Sequence, residues 1–156
     1  MAGFMDTMAR ILTKAALIEK TPVDTGDGIF LYTSEVHLIS LAGRFPGESM
    51  SGIAARLGIT KGAVSQTAKR LEEKGYIERG YRDDDAKTVF IHLTPAGERA
   101  FAWHEAYHCE VRRRLSQEIQ AWNPEDRNKM AALLSTLESV FDDCPQLRKT
   151  ITEKFR

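Results

Sequence analysis

Residues 49–94 read SMSGIAARLGITKGAVSQTAKRLEEKGYIERGYRDDDAKTVFIHLT, and the order of signals within them decides the fold. Ser51 to Leu57 set Ile53, Ala54 and Leu57 on one helical face. Gly58 closes that short helix, because glycine accepts the left-handed conformation in which helices end. Thr60 stands where a hydroxyl N-cap is needed for a second helix over residues 61–74, which stops at Gly75. The second helix turns Val64, Ala68 and Leu71 inward and Gly62, Ser65, Gln66, Lys69 and Glu73 outward. Tyr76–Arg79 and Thr88–Leu93 have strand composition, with residues 81–87 as the loop between them. Helix, tight turn, helix and hairpin in this order make a winged helix-turn-helix, in which the second helix enters a DNA major groove.

The outer face of that helix is small and polar at its N-terminal end, where Thr60, Lys61 and Ser65 stand, so it can approach base edges closely. Gln66 has the geometry for two bonds to an adenine edge, and Lys61, Lys69 and Arg70 suit phosphates or guanine. Arg82 and Lys87 of the wing are candidates for a minor groove or phosphates. Such a face on an isolated helix ordinarily means only a solvated surface. The capped turn before it and the hairpin after it favour DNA reading.

The chain has 156 residues, enough for one domain with a core that needs no staples. Its 22 basic and 22 acidic residues balance, which by itself announces no nucleic-acid partner. Within residues 54–82, however, seven cations face three acids, a local net of plus four. A neutral whole with a basic reading head suits binding to specific sites without general adhesion. Cys109 and Cys144 are the only cysteines and form no C-x-x-C pattern, so a disulfide framework is not expected and a reducing cytoplasm is. No signal peptide and no membrane-spanning apolar run are visible in the sequence.

Around the reading head the chain is helical, so the expected class is mainly α with a small β wing. Residues 4–20 form an amphipathic helix with Met8, Leu12 and Ala15 on one face, continued by Glu19. Residues 21–28, TPVDTGDG, read as a turn-rich linker. Thr33 or Ser34 caps a helix to about Ala42, apolar nearly all round and therefore buried. Thr94 and Pro95 start a long helix to about Trp122, with Phe101, His104, His108, Val111, Leu115, Ile119 and Trp122 in one stripe. Asn123 and Pro124 start another, with Met130, Leu133, Leu134, Leu137 and Phe141 as its apolar face, and Pro145 starts a last short segment. The first, fifth and sixth helices carry more apolar face than one protomer needs, which points to dimerisation through them.

Three of the four histidines fall on apolar faces. His104 and His108 are four residues apart, one above the other on a helix, and they interrupt an apolar stripe. His37 lies on the buried second helix, which a winged-helix arrangement sets near the fifth. Buried imidazoles need hydrogen-bond partners or a metal. With Glu19 at the end of the first helix they make a four-coordinate donor set for zinc, or a satisfied polar cluster without any ion. HEAYH at 104–108 also meets the H-E-x-x-H pattern of zinc metalloproteases, with Glu105 as base and Glu118 or Glu125 as the third ligand, which leaves a metallohydrolase as a remote reading.

The runs IAARLGITKGAVSQTAKRLEEKGYIER (53–79) and DDDAKTVFIHLTPAG (83–97) resemble the MarR family of bacterial transcriptional regulators. That resemblance implies a non-enzymatic homodimer on a pseudo-palindromic double-stranded operator. It treats residues 1–156 as a single domain, with the winged helix-turn-helix at 30–94 and dimerisation helices at 1–20 and 95–156. The family's wing commonly carries Asp-x-Arg where this chain has Asp85, Ala86 and Lys87, a point charge for a bidentate fork. Within the family the chain is similar to the zinc-responsive repressors of zinc uptake, whose metal ligands match Glu19, His37, His104 and His108 in type and spacing. Their second site does not carry over, since its positions here are Thr25, Val36 and Trp103. The alternative is a small organic effector, phenolic or lipophilic, with the histidines as polar groups of its pocket.

Overall fold

The computed structural model describes residues 2–82 and 85–156, with the side chains of residues 3–81 and 88–156. The expected wing residues Arg82 and Lys87 lie outside the described side chains. The elements run α1 (Ala2–Lys20), β1 (Val23–Asp24), β2 (Phe30–Leu31), α2 (Thr33–Arg44), α3 (Met50–Leu57), α4 (Lys61–Glu73), β3 (Ile77–Arg82), β4 (Asp85–Leu93), α5 (Pro95–Gln120) and α6 (Pro124–Lys154). This is a winged helix-turn-helix with flanking helices, mainly α with a small β wing.

The turn between α3 and α4 forms as its residues require. Ser49 Oγ accepts the Gly52 N–H at 3.0 Å and starts α3. Gly58 ends it at φ 65°, in the left-handed region, with its N–H directed back to the last carbonyls. Thr60 Oγ1 accepts the Ala63 N–H at 3.2 Å and opens α4. Ile53, Val64, Ala68 and Leu71 are fully buried in a single core with Leu31, Leu38, Ile39, Ile77 and Ile91.

The hairpin β3–β4 is antiparallel, with Ile77 opposite Leu93, Arg79 opposite Ile91 and Tyr81 opposite Val89. Strand pairing reaches further than the sequence implied. β3 continues to Arg82 and β4 starts at Asp85, so most of the expected loop 81–87 belongs to the strands, with Tyr81 opposite Val89, Arg82 opposite Asp85 and a register irregularity between Tyr81 and Arg82. The cross-strand pair of an aromatic and a β-branched residue, Tyr81 and Val89, favours that extension. Tyr76, expected in the strand, precedes it and is buried in the core.

Three other boundaries differ. The linker 21–28 contains half of a small hairpin, with Val23 opposite Leu31 and Asp24 opposite Phe30. Asp24 Oδ1 accepts the N–H groups of Gly26, Asp27 and Gly28 at 2.8, 3.1 and 3.0 Å and so closes the loop. These hydrogen bonds hold the Asp24 carboxyl below its ordinary value. The N-cap of α2 is Tyr32 rather than Thr33 or Ser34, because the Glu35 carboxylate reaches back to the Tyr32 N–H at 2.8 Å. α6 runs unbroken through Pro145, where the sequence implies the start of a separate segment. A proline inside a helix removes one N–H and strains one turn, and the helix formers on both sides carry this one past it. Its start is as expected, with Asn123 Oδ1 accepting the Asp126 N–H at 2.8 Å.

The chain forms two compact units, Met1–Cys109 and Glu110–Arg156, with the boundary inside α5. In the first, α2 is buried through Val36, Leu38, Ile39 and Ala42, while α1 exposes Ile11, Leu12, Leu17 and Ile18. In the second, α6 buries none of its residues and exposes Leu133, Leu134 and Phe141. Glu110 is drawn down to about 2 by the Arg113 and Arg114 guanidiniums that bond it. No helix among the described residues is long and apolar enough to cross a membrane.

Two glycines mark close approaches in the first unit. A Cβ at Gly43 of α2 would stand 2.7 Å from the Phe101 ring of α5. A Cβ at Gly97 would collide with the Tyr76 carbonyl oxygen. That carbonyl accepts the Thr94 N–H at 3.1 Å, so it cannot simply turn away. Gly97→Ala should therefore lower the unfolding free energy by about 1–3 kcal/mol, the usual cost of overpacking. Urea denaturation checks this, and an unchanged midpoint would show that the first turn of α5 stands off Tyr76.

Candidate functional site

The exposed face of α4 is as the sequence implied. Thr60, Lys61, Gln66, Lys69 and Arg70 are exposed and Ser65 is half-buried, while Val64, Ala68 and Leu71 are sealed beneath. Thr60 is occupied as the N-cap. Lys69 pairs loosely with Glu73 at 3.9 Å, an exposed contact of little energy that a phosphate can replace. Arg70 is less available than its sequence position suggests. It donates to Thr67 Oγ1 at 3.1 Å and lies 3.6 Å from the Glu35 carboxylate of α2.

A second cluster lies where α1, α2 and α5 meet. One ligating atom from each of His37, His104 and His108 falls within 4.8 Å of the other two. The His104 and His108 Nε2 atoms are 2.9 Å apart, and the His37 and His104 rings meet edge to face at 5.7 Å. Spacing brings the first pair together. The approach of α2 and α5 at Gly43 and Phe101 brings in His37. The histidines open on a cavity of about 260 Å3 that is also lined by Glu19, Val36, Trp103 and Tyr107. Glu19 stands at the exposed end of α1, and its carboxylate is not among the atoms that converge. Glu19 and His37 also line a neighbouring cavity of about 190 Å3, which reaches Val64 and Thr67 of α4.

The donor chemistry fits a zinc-type ion. Burial, followed by the neighbouring His108 and His37, pushes His104 down to about 4, so its imidazole is neutral at physiological pH and keeps a lone pair for a metal. His104 Nδ1 is buried with no hydrogen-bond partner among the described residues, a cost that a purely structural histidine would be expected to avoid. Three imidazoles with a carboxylate on the same cavity wall match the N and O ligands zinc takes. The protease-like reading of HEAYH does not survive the geometry. Glu105 Oε1 accepts two bonds from the Arg44 guanidinium, at 3.0 and 2.6 Å, so it is held as an ion-pair partner rather than as a base.

Sequence reasoning missed Glu35, a fully buried carboxylate, and the bond from the Tyr76 hydroxyl to the Asp27 carboxylate at 2.7 Å. Burial and this anion raise Tyr76 to about 12. An acid three residues into an otherwise apolar helix was the available signal for Glu35. No local signal pairs residues 27 and 76.

Among known proteins, the model of the MarR family matches residues 33–87. The DNA complex of FabT from Streptococcus pneumoniae superposes with a TM-score of 0.69 at 26% identity, over 91% of this chain and 97% of that one. Over residues 33–87 the chain is thus similar to the MarR family. Its members are winged-helix transcriptional regulators rather than enzymes. Another neighbour is ZitR of Lactococcus lactis, described as a zinc-responsive MarR family member, with a TM-score of 0.74 at 18% identity over 90% and 97% of the two chains. At that identity the likeness shows the fold alone. YhjH of Bacillus subtilis, an uncharacterized regulator of the helix-turn-helix type, is 28% identical over 109 residues, 70% of this chain. The chain spans 62% of the length of YhjH and 64% of that of PchR, a second Bacillus subtilis regulator.

His104 gives the chain a pH signature. The unfolded chain protonates this residue near 6.5, whereas the folded chain refuses the proton until about 4. Stability from the neutral imidazole is thus complete above pH 6.5, falls between pH 6.5 and 4, and then levels off. In metal-free protein, the urea-midpoint difference between wild type and His104→Gln should shrink over that window. A difference constant with pH would mean that His104 is not held neutral.

Proposed function

We propose that this chain is a sequence-specific DNA-binding transcriptional regulator, working as a homodimer under the control of a zinc-type metal held by His37, His104 and His108 with Glu19. The observation that carries the reading is the convergence of His104 and His108 of α5 with His37 of α2, the helix whose buried side packs against α3 and α4. The FabT complex with DNA and the zinc response of ZitR support it from outside this chain.

Residues 30–94 form the reading head, and 1–20 with 95–156 the assembly helices. The exposed apolar faces of α1 and α6 are covered by a second copy of the chain. Two-fold symmetry then presents two α4 helices to one face of the duplex, at a spacing that must match one helical turn, about 34 Å. A zinc ion, when bound, would cross-link α1, α2 and α5 without redox chemistry. The chain's own residues do the rest: Gln66 and Ser65 meet base edges, and Lys61 and Lys69 meet phosphates. If the metal favours the DNA-competent spacing, it shifts the population towards it and acts as co-repressor.

Gln66→Ala should relax the preference at one base position and cost about 1–3 kcal/mol on the preferred duplex. Lys69→Ala should weaken all duplexes alike. Competition binding against single-base variants checks both, and a uniform loss from Gln66→Ala would remove it from base reading. For the metal, zinc titration of chelator-treated protein should find about one tight site per chain, abolished in His104→Ala and weakened in Glu19→Gln.

One observation favours a second reading. The Trp103 and Tyr107 rings stack at 5.7 Å on the wall of the larger cavity, which suits an organic effector in place of a metal. Glu19→Gln separates the two, since an apolar ligand would barely notice it.

A further inference from the structure

Glu35 is 0% exposed, yet it is a carboxylate in the first turn of α2. Its neutralisation comes from the other end of the reading unit. Lys74, the C-cap residue of α4, donates to both Glu35 oxygens at 2.9 and 2.8 Å and to the Phe30 carbonyl of β2 at 3.0 Å. Arg70, in the last turn of α4, lies 3.6 Å away. Glu35 also holds the Tyr32 N–H that begins α2. One buried anion therefore ties the start of α2, the strand before it and the end of the DNA-reading helix. Two residues along α2, His37 faces the histidine cavity.

We propose that Glu35 is the positioning residue that couples the histidine cavity to the DNA-reading helix. The proposal rests on the metal-controlled reading above. A buried, unpaired carboxylate is so unfavourable that Lys74 must follow Glu35 when α2 shifts. Surface ion pairs have no such hold, because water replaces either partner. A displacement of α2 at His37 thus reaches α4 through a contact that cannot slip. Arg70 is the exchangeable member: half of its side chain is exposed, and it can turn to a phosphate while Lys74 keeps Glu35 neutralised.

The test uses the full-length chain and a duplex that the wild type selects from a randomised library. Anisotropy gives DNA affinity with and without zinc at fixed salt, and dye competition gives zinc affinity. Wild type should show a zinc-dependent gain in DNA affinity of about tenfold, within the usual range of allosteric coupling. In Glu35→Gln the gain should fall below about threefold, while zinc affinity stays within about threefold of wild type. Glu72→Gln, which breaks the α4 pairing with Arg79 of β3 but does not touch α2, should keep the full gain. If Glu35→Gln does not fold, Glu35→Gln with Lys74→Gln removes both charges together and serves in its place. An undiminished gain in the variant overturns the role of Glu35 alone. A wild type that binds zinc without any change in DNA affinity overturns metal control, and the proposal with it.

Discussion

Burying α2 requires apolar partners on several sides at once, and that requirement places the elements around it. Val36, Leu38, Ile39 and Ala42 share one core with Val64 and Leu71 of α4, Ile53 of α3 and Ile91 of β4. A helix so enclosed has little freedom to slide, because interiors are close-packed and a shift of one side chain displaces its neighbours. Gly43 is what allows α5 to come in, since any larger side chain would meet the Phe101 ring. The approach of α5 carries His104 to His37. Core packing of the DNA-reading unit and assembly of the histidine cluster are thus two consequences of burying one helix.

The polar groups within this apolar frame are each answered from a distance in sequence. Glu35 is answered by Lys74, and the Tyr76 hydroxyl by Asp27. Removing Lys74 from the buried Glu35 would cost about 3–5 kcal/mol, because the charge left behind has no water to return to. These contacts make the reading unit specific in its packing rather than merely collapsed. His104 Nδ1 breaks the pattern, and it does so inside the cluster whose donor set suits a metal. A polar atom left unanswered amid satisfied ones is more informative than any of them.

Electrostatics divides the labour in the same way. The chain as a whole is neutral, with 22 charges of each sign. Lys61 and Lys69 stand on the outer face of α4, whereas Arg70 leans towards Glu35 and the C-cap residue Lys74 is drawn inward by it. The neutral His104 imidazole keeps a lone pair available, and the cause is burial more than any charge partner. A solvent-facing reading face and a histidine cavity can adjoin one helix pair because α4 and α2 each offer two different sides.

The sequence by itself determined what depends on local spacing. Gly58 and Thr60 specify the turn, the 3.6-residue period puts Val64, Ala68 and Leu71 beneath the face that bears Gln66 and Lys69, and a four-residue gap stacks His104 on His108. Boundaries were less legible where a rule was local but its competitor was not. The Tyr81–Val89 pair lengthened the wing strands, Glu35 moved a cap, and good helix formers carried α6 past Pro145. Only the tertiary structure decided that Glu35 meets Lys74 and Tyr76 meets Asp27, and it set the distance at which His37 meets His104. Nothing within a few residues of any of them encodes the partner, because the meeting is set by how helices pack rather than by what the chain does nearby. Glu19 shows the other side of this. Its position on the first helix marked it as a ligand, but α1 buries little in the protomer, so no packing force draws its carboxylate in among the imidazoles.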